Sequence, residues 1–155
     1  MKGNDQILQV LNGLLADELT AINQYMVHAE MCDNWGYEQL DKAIQSRAIQ
    51  EMKHAEKLIA RILFLEGMPV VSNLHAIHIG ANVEAQHTND WTAEHNAIES
   101  YNMGIAVAVE VSDNGSRELL ESIVADEEAH VDWIEAQIAQ IAQMGIHNYL
   151  AEQIG

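Results

Sequence analysis

Apolar residues recur at spacings of three and four through Ile7, Leu11, Leu14, Leu15, Leu19, Ile22 and Met26, which is the period of an amphipathic helix. Asn34-Trp35-Gly36 ends that run. A second run covers about Tyr37 to Glu66, with Leu40, Ile44, Ala48, Leu58, Ile62 and Leu65, and stops at Gly67-Met68-Pro69. A third extends from about Val83 to Val111 and a fourth from about Ser116 to Met144, separated by the polar turn Ser112-Asp113-Asn114-Gly115. Gly145 closes the fourth, and a short fifth helix is expected around Asn148 to Gln153. Each long run holds about 30 residues, hence about 45 Å of helix. Short turns make helices one and two antiparallel, and likewise three and four. The stretch from Pro69 to Asn82 has no period, and about 14 extended residues reach about 46 Å, the length of one helix. The pattern therefore predicts an all-α four-helix bundle, with a long crossover between helices two and three and one domain over residues 1–155.

Nine glycines, one proline and few aromatic residues agree with helix over an all-β fold, which needs more turn and aromatic residues. The formal charge of -17 repels phosphate backbones and anionic lipids, so no nucleic-acid or membrane partner is expected; cations are. No early segment joins a basic start to an apolar stretch, and no run nears the roughly 20 apolar residues of a membrane span. Cys32, the sole cysteine, allows no intrachain disulfide, in keeping with a cytoplasmic location.

Two Glu-x-x-His motifs carry the chemistry: Glu51-Met52-Lys53-His54 and Glu127-Glu128-Ala129-His130. At this spacing the two side chains lie about 60° apart on a helix and share a face. One motif alone is weak, since chance gives about one such pair in this composition. Indeed Glu84-Ala85-Gln86-His87 is a third. Register separates them. Glu18/Glu94, Glu51/Glu127, His54/His130, Tyr25/Tyr101, Ala21/Ala97 and Ile22/Ile98 all repeat at an offset of 76, whereas Glu84 and His87 fall on Leu8 and Leu11. Two related helix pairs, each giving one lone glutamate and one Glu-x-x-His, would bring four carboxylates and two imidazoles to one level of a bundle core. That donor set suits Fe, Mn or Zn, and lacks the thiolates of iron-sulfur or zinc-finger sites. Two divalent cations balance four buried glutamates. Tyr25, seven residues after Glu18, lies on nearly the same face, where it can bond a ligand or serve as a core tyrosine. Met52 points about 100° from Glu51 and about 160° from His54, away from that face. Ile49 and Ile59 share its side, and Leu19, Ile22 and Met26 form a matching stripe on helix one, so an apolar partner surface is expected.

These residues resemble the bacterioferritins, ferritin-like di-iron proteins, along essentially the full length. The resemblance rests on the Met-Lys-Gly start, Glu18, Ala21-Ile22-Asn23-Gln24-Tyr25, Glu51-Met52-Lys53-His54, Arg61-Ile62-Leu63-Phe64-Leu65-Glu66-Gly67, Asp126-Glu127-Glu128, His130 and Asp132-Trp133. It implies a ferritin-like fold with two iron ions per subunit, Glu18 and His54 as terminal ligands of one and Glu94 and His130 of the other, bridged by Glu51 and Glu127. It implies ferroxidase activity, oxidation of Fe(II) by O2 or H2O2, with Tyr25 beside the centre, and storage of iron mineral in a 24-subunit cage built from dimers. It also implies a b-type haem shared by two subunits through Met52, with Leu19, Ile22, Asn23, Met26 and Ile49 lining the pocket. A second subunit type and a ferredoxin reductant for iron release are further partners of such proteins. Ser46, Arg47 and Gln50 depart from the acidic residues or histidine that some relatives carry there, which puts an auxiliary iron site in doubt. His75 and His78 are expected as solvated loop residues, and Glu84 and His87 on an exposed turn. A stand-alone di-iron oxidase or peroxidase and a non-catalytic helical adaptor are the competing functions.

Overall fold

A computed structural model describes all 155 residues. Helix α1 spans Asp5–Trp35, α2 Glu38–Phe64, α3 Val83–Glu110, α4 Asn114–Met144 and α5 Ile146–Ala151. Asn4 caps α1 by accepting from Gln6 N at 2.8 Å, and Asn82 caps α3 by accepting from Ala85 N at 2.9 Å. The expected polar turn at 112–115 is shorter than its sequence suggests. Asn114 and Gly115 already belong to α4, because the Asp113 side chain accepts from Ser116 N at 2.9 Å and starts the helix there. The fifth helix likewise begins earlier, at Ile146, directly after Gly145 (φ 79°) breaks α4.

Helix α1 turns into α2 through Gly36 in the left-handed region (φ 83°), and α3 turns into α4 through Ser112 (φ 58°). These residues are 76 apart, so the repeat extends to the backbone although the side chains differ. In both turns the next amide reaches back five residues, Tyr37 N to Cys32 O and Asp113 N to Ala108 O. At the end of α2 the left-handed residue is Glu66 (φ 61°), not the expected glycine. Gly67 instead allows close packing: a Cβ there would meet Leu8 Cδ2 at 2.5 Å and push that side chain aside.

The crossover has no regular structure and follows α1, whose side chains take the place of a partner strand. Asn12 Oδ1 accepts from Val70 N (2.8 Å), Thr20 Oγ1 from His75 N (3.0 Å), Gln24 Oε1 from His78 N (3.1 Å) and His28 Nε2 from Gly80 N (2.9 Å). The pairs α1/α2 and α3/α4 join through α1–α3 and α2–α4 contacts. Two apolar clusters fill the bundle. One includes Ile7, Leu11, Leu15, Leu58, Ile62, Leu120 and Ile123, and the other Tyr25, Cys32, Leu40, Ile44, Ile141 and Tyr149. On every long helix the acidic and histidine positions of the repeat lie between the stretches that feed these clusters. The Glu/His layer thus lies between the two clusters. No helix is long and apolar enough to cross a membrane.

Candidate metal centre

Glu18, Glu51, His54, Glu94, Glu127 and His130 all point inward; all but His130 are at most 3% exposed, and His130 is 8% exposed. They form two overlapping groups whose ligand atoms lie within 4.8 Å of one another: Glu18, Glu51, His54 and Glu127, and Glu51, Glu94, Glu127 and His130. Glu51 and Glu127 belong to both. His54 Nδ1 lies 2.9 Å from Glu51 Oε2, 2.9 Å from Glu127 Oε1 and 3.6 Å from Glu18 Oε1. His130 Nδ1 lies 3.0 Å from Glu51 Oε1 and 3.1 Å from Glu94 Oε1.

The other ring nitrogens are engaged. His54 Nε2 is 2.8 Å from Asp126 Oδ2, and His130 Nε2 is 2.8 Å from Gln50 Oε1. Both partners only accept at those atoms, so each Nε2 carries the proton. A neutral ring then presents its Nδ1 lone pair to several carboxylate oxygens, which is favourable only with a proton or a cation between them. Glu51 Oε1, Glu94 Oε2 and Glu127 Oε1 are buried without a hydrogen-bond partner. Buried carboxylate oxygens in that condition are costly, and metal ions of the oxygen- and nitrogen-preferring kind relieve the cost. The donor set fits two such ions.

Without a cation, protons take that role. Burial, reinforced by Glu18, raises the Glu51 carboxyl well above its ordinary range. Burial and then Glu94 push Glu127 up to about 12. Burial also works against ionised Glu94, yet hydrogen bonds from Glu127 and His130 win and lower it to about 2. For His54 burial acts to lower the pKa, and bonds to Glu127, Glu18 and Glu51 reverse it to a raised value. Alternating protonated and ionised neighbours are what four crowded carboxylates adopt when no metal separates them.

Tyr25 does not meet Glu18, whose face it shares along α1. Its hydroxyl donates to Glu94 Oε1 at 2.6 Å, across the interface between helix pairs, and Tyr101 makes the equivalent bond to Glu18. Burial first, and then the carboxylates, raise both phenols, so they remain donors. Sequence reasoning missed the polar group behind Tyr25. Arg47 Nη2 contacts Asp90 Oδ2 at 2.5 Å, its guanidinium sits 4.4 Å from the Tyr25 ring centre, and Asp90 Oδ1 also meets His28 Nδ1 and Gln24 Nε2. Their register mates are Ile123, Leu14, Gly104 and Ser100, so repeat matching gave no sign of them.

The remaining predicted residues lie elsewhere. Met26, Ile49 and Met52 are exposed at 50%, 45% and 46%, whereas Leu19, Ile22 and Asn23 are half-buried. Glu84 is exposed as expected, but His87 is not: it is fully buried, 3.1 Å from the Tyr149 hydroxyl, because α5 folds over that end of α3. Cys32 is also fully buried.

Residues 8–144 match the family model of the ferritin-like domain. The bacterioferritin of Mycobacterium leprae is 38% identical over 152 residues, covering 98% of this chain and 96% of the relative. That of Rhodobacter capsulatus is 40% identical over 145 residues (94% and 90%), and that of Brucella melitensis 37% over 149 (96% and 92%). Matches of this length take in all four long helices and the crossover. The chain belongs to the bacterioferritins, within the ferritin-like family.

Proposed function

We propose that this chain is an iron-storage subunit with ferroxidase activity. The observation that carries the reading is the pair of overlapping carboxylate–histidine groups that share Glu51 and Glu127. Glu18 and His54 would hold one iron, Glu94 and His130 the other, and Glu51 and Glu127 both. The chemistry such a pair would supply is one electron from each Fe(II), two in all, reducing O2 to peroxide or H2O2 to water and leaving Fe(III). The protein's part is to fix positions and charge. Asp126 and Gln50 hold the imidazoles with Nδ1 facing inward. Tyr101 and Tyr25 orient the terminal carboxylates Glu18 and Glu94. The flanking apolar clusters keep bulk water from the layer.

Membership of the bacterioferritins supports assembly into an oligomeric cage, which we take as a cytoplasmic 24-mer built from dimers, with a second subunit type and a ferredoxin reductant as proposed partners. The acidic excess then gathers Fe(II) at the shell. For the b-type haem, the fit rests on a thioether at Met52, half-exposed one helical turn from exposed Ile49 and pointing to solvent, with Met26 of α1 also exposed. Met52 would be an axial ligand, with Leu19, Ile22, Asn23, Met26 and Ile49 around the ring. The test of the main reading replaces Glu51 with Gln. Rapid Fe(II) oxidation should fall by at least about 100-fold with the oligomer intact. Unchanged oxidation would refute it.

A further inference from the structure

The register that pairs the metal-facing residues also pairs the residues behind them, and there the two halves differ. Gln50 and Asp126 are 76 apart. Each stands one residue before the shared glutamate of its own half and receives the Nε2 proton of the other half's histidine, Asp126 from His54 and Gln50 from His130, both at 2.8 Å. The geometry is the same, but one acceptor is a carboxylate and the other a neutral amide. The only ion pair Asp126 makes is with His54, so its charge is not spent on a lysine.

We propose that this carboxylate-for-amide difference ranks the two metal positions: a divalent cation settles first and more tightly at Glu18–His54 than at Glu94–His130. The inference rests on the two-metal reading above. A histidine that donates to a carboxylate is a stronger electron donor through its other nitrogen, and the carboxylate adds negative charge one shell beyond the ion. An amide supplies only a dipole. Partners of this kind change metal affinity by about 10- to 100-fold. The Glu94–His130 position is then the exchangeable one. Access does not separate the two positions, since His130 borders a cavity of about 270 Å³ and His54 one of about 300 Å³; the ranking rests on the carboxylate and the amide.

Co(II) tests the ranking without turnover. Repulsion between two bound cations would split a titration even in a symmetric site, so the deciding readout is position. Crystals of the wild-type protein loaded with one equivalent of Co(II) per chain should give anomalous occupancy at least about 10-fold higher at Glu18–His54. Asp126→Asn should bring the two occupancies near equality and weaken the first Co(II) equivalent in solution by about 10-fold, read from its visible absorption. Gln50→Asp should also level the occupancies, by strengthening the second position. Equal occupancies in the wild type, preference for His130, or a ratio unchanged in Asp126→Asn would each overturn the proposal. The last result would place the asymmetry on Arg47, which that variant leaves intact. If Co(II) binds at neither position, the two-metal reading itself fails, a result distinct from two equal sites.

Discussion

Acid should loosen this protein through His87. The Tyr149 hydroxyl donates to Gln137 Oε1 at 2.8 Å, so it accepts the Nε2 proton of His87 at 3.1 Å. That leaves His87 Nδ1 buried with no partner, and a second proton would have to sit there facing no acceptor. Burial, and next the positive charge of Arg47, lower this imidazole to about 4 from its ordinary 6.5. Between those values the unfolded chain binds a proton that the folded chain refuses. Stability therefore rises with pH across this window and is lost as pH falls through it. The linkage integral gives a loss of ~2 kcal/mol at about pH 5, approaching ~3 kcal/mol below about pH 4. His87→Leu removes the titrating group. Urea denaturation at fixed protein concentration, at about pH 7 and about pH 5, isolates it, because the other groups titrate in both proteins. The wild type should lose ~2 kcal/mol more than the variant between the two conditions. The variant should also start ~1–3 kcal/mol less stable at neutral pH, since Tyr149 loses a donor. Equal losses in the two proteins would refute the reasoning.

Asp113→Ala removes the acceptor of Ser116 N (2.9 Å), Ser116 Oγ (2.7 Å) and Arg61 Nη2 (2.7 Å), and should cost ~1–2 kcal/mol in thermal melts at neutral pH. Burial opposes ionisation of this carboxyl, but the Ser116 bonds and Arg61 win and lower its pKa, so its contribution is complete above about pH 4 and fades as pH falls through the folded value. The difference between wild type and variant should shrink accordingly in melts at about pH 2. Met52→Leu should abolish the haem Soret band after expression with ample haem and leave Fe(II) oxidation unchanged, since Met52 faces away from the metal layer; a retained band would remove Met52 from the haem site.

The juxtaposition of the buried glutamates and histidines was unusually legible because it was written twice. The shared offset selected Glu51-x-x-His54 and Glu127-x-x-His130 over the third motif at Glu84, and the structure gathers the selected residues while leaving Glu84 exposed. The same device missed what was not duplicated. Arg47 pairs in register with Ile123 and Asp90 with Leu14, so the buried ion pair that joins the two helix pairs has only apolar counterparts. His87 shows the opposite failure: a polar residue near a helix start reads as exposed until another element folds over it, and here Tyr149 of α5 does so.

The sequence by itself determined the elements whose causes are local. Helical period and the stop at Gly36 depend on neighbours within about one turn, and so were legible, whereas the Asp113 cap that starts α4 two residues early was not. It also determined the level at which the ligands meet, because a repeat fixes the relative register of two helix pairs. The tertiary structure alone decided which side chain meets which across the helices. Tyr25 serves Glu94 and Tyr101 serves Glu18, each reaching out of its own half, and Asp126 and Gln50 likewise each back the other half's histidine. Such crossed partnerships depend on how the helix pairs pack together, and periodicity along one chain segment carries no term for that.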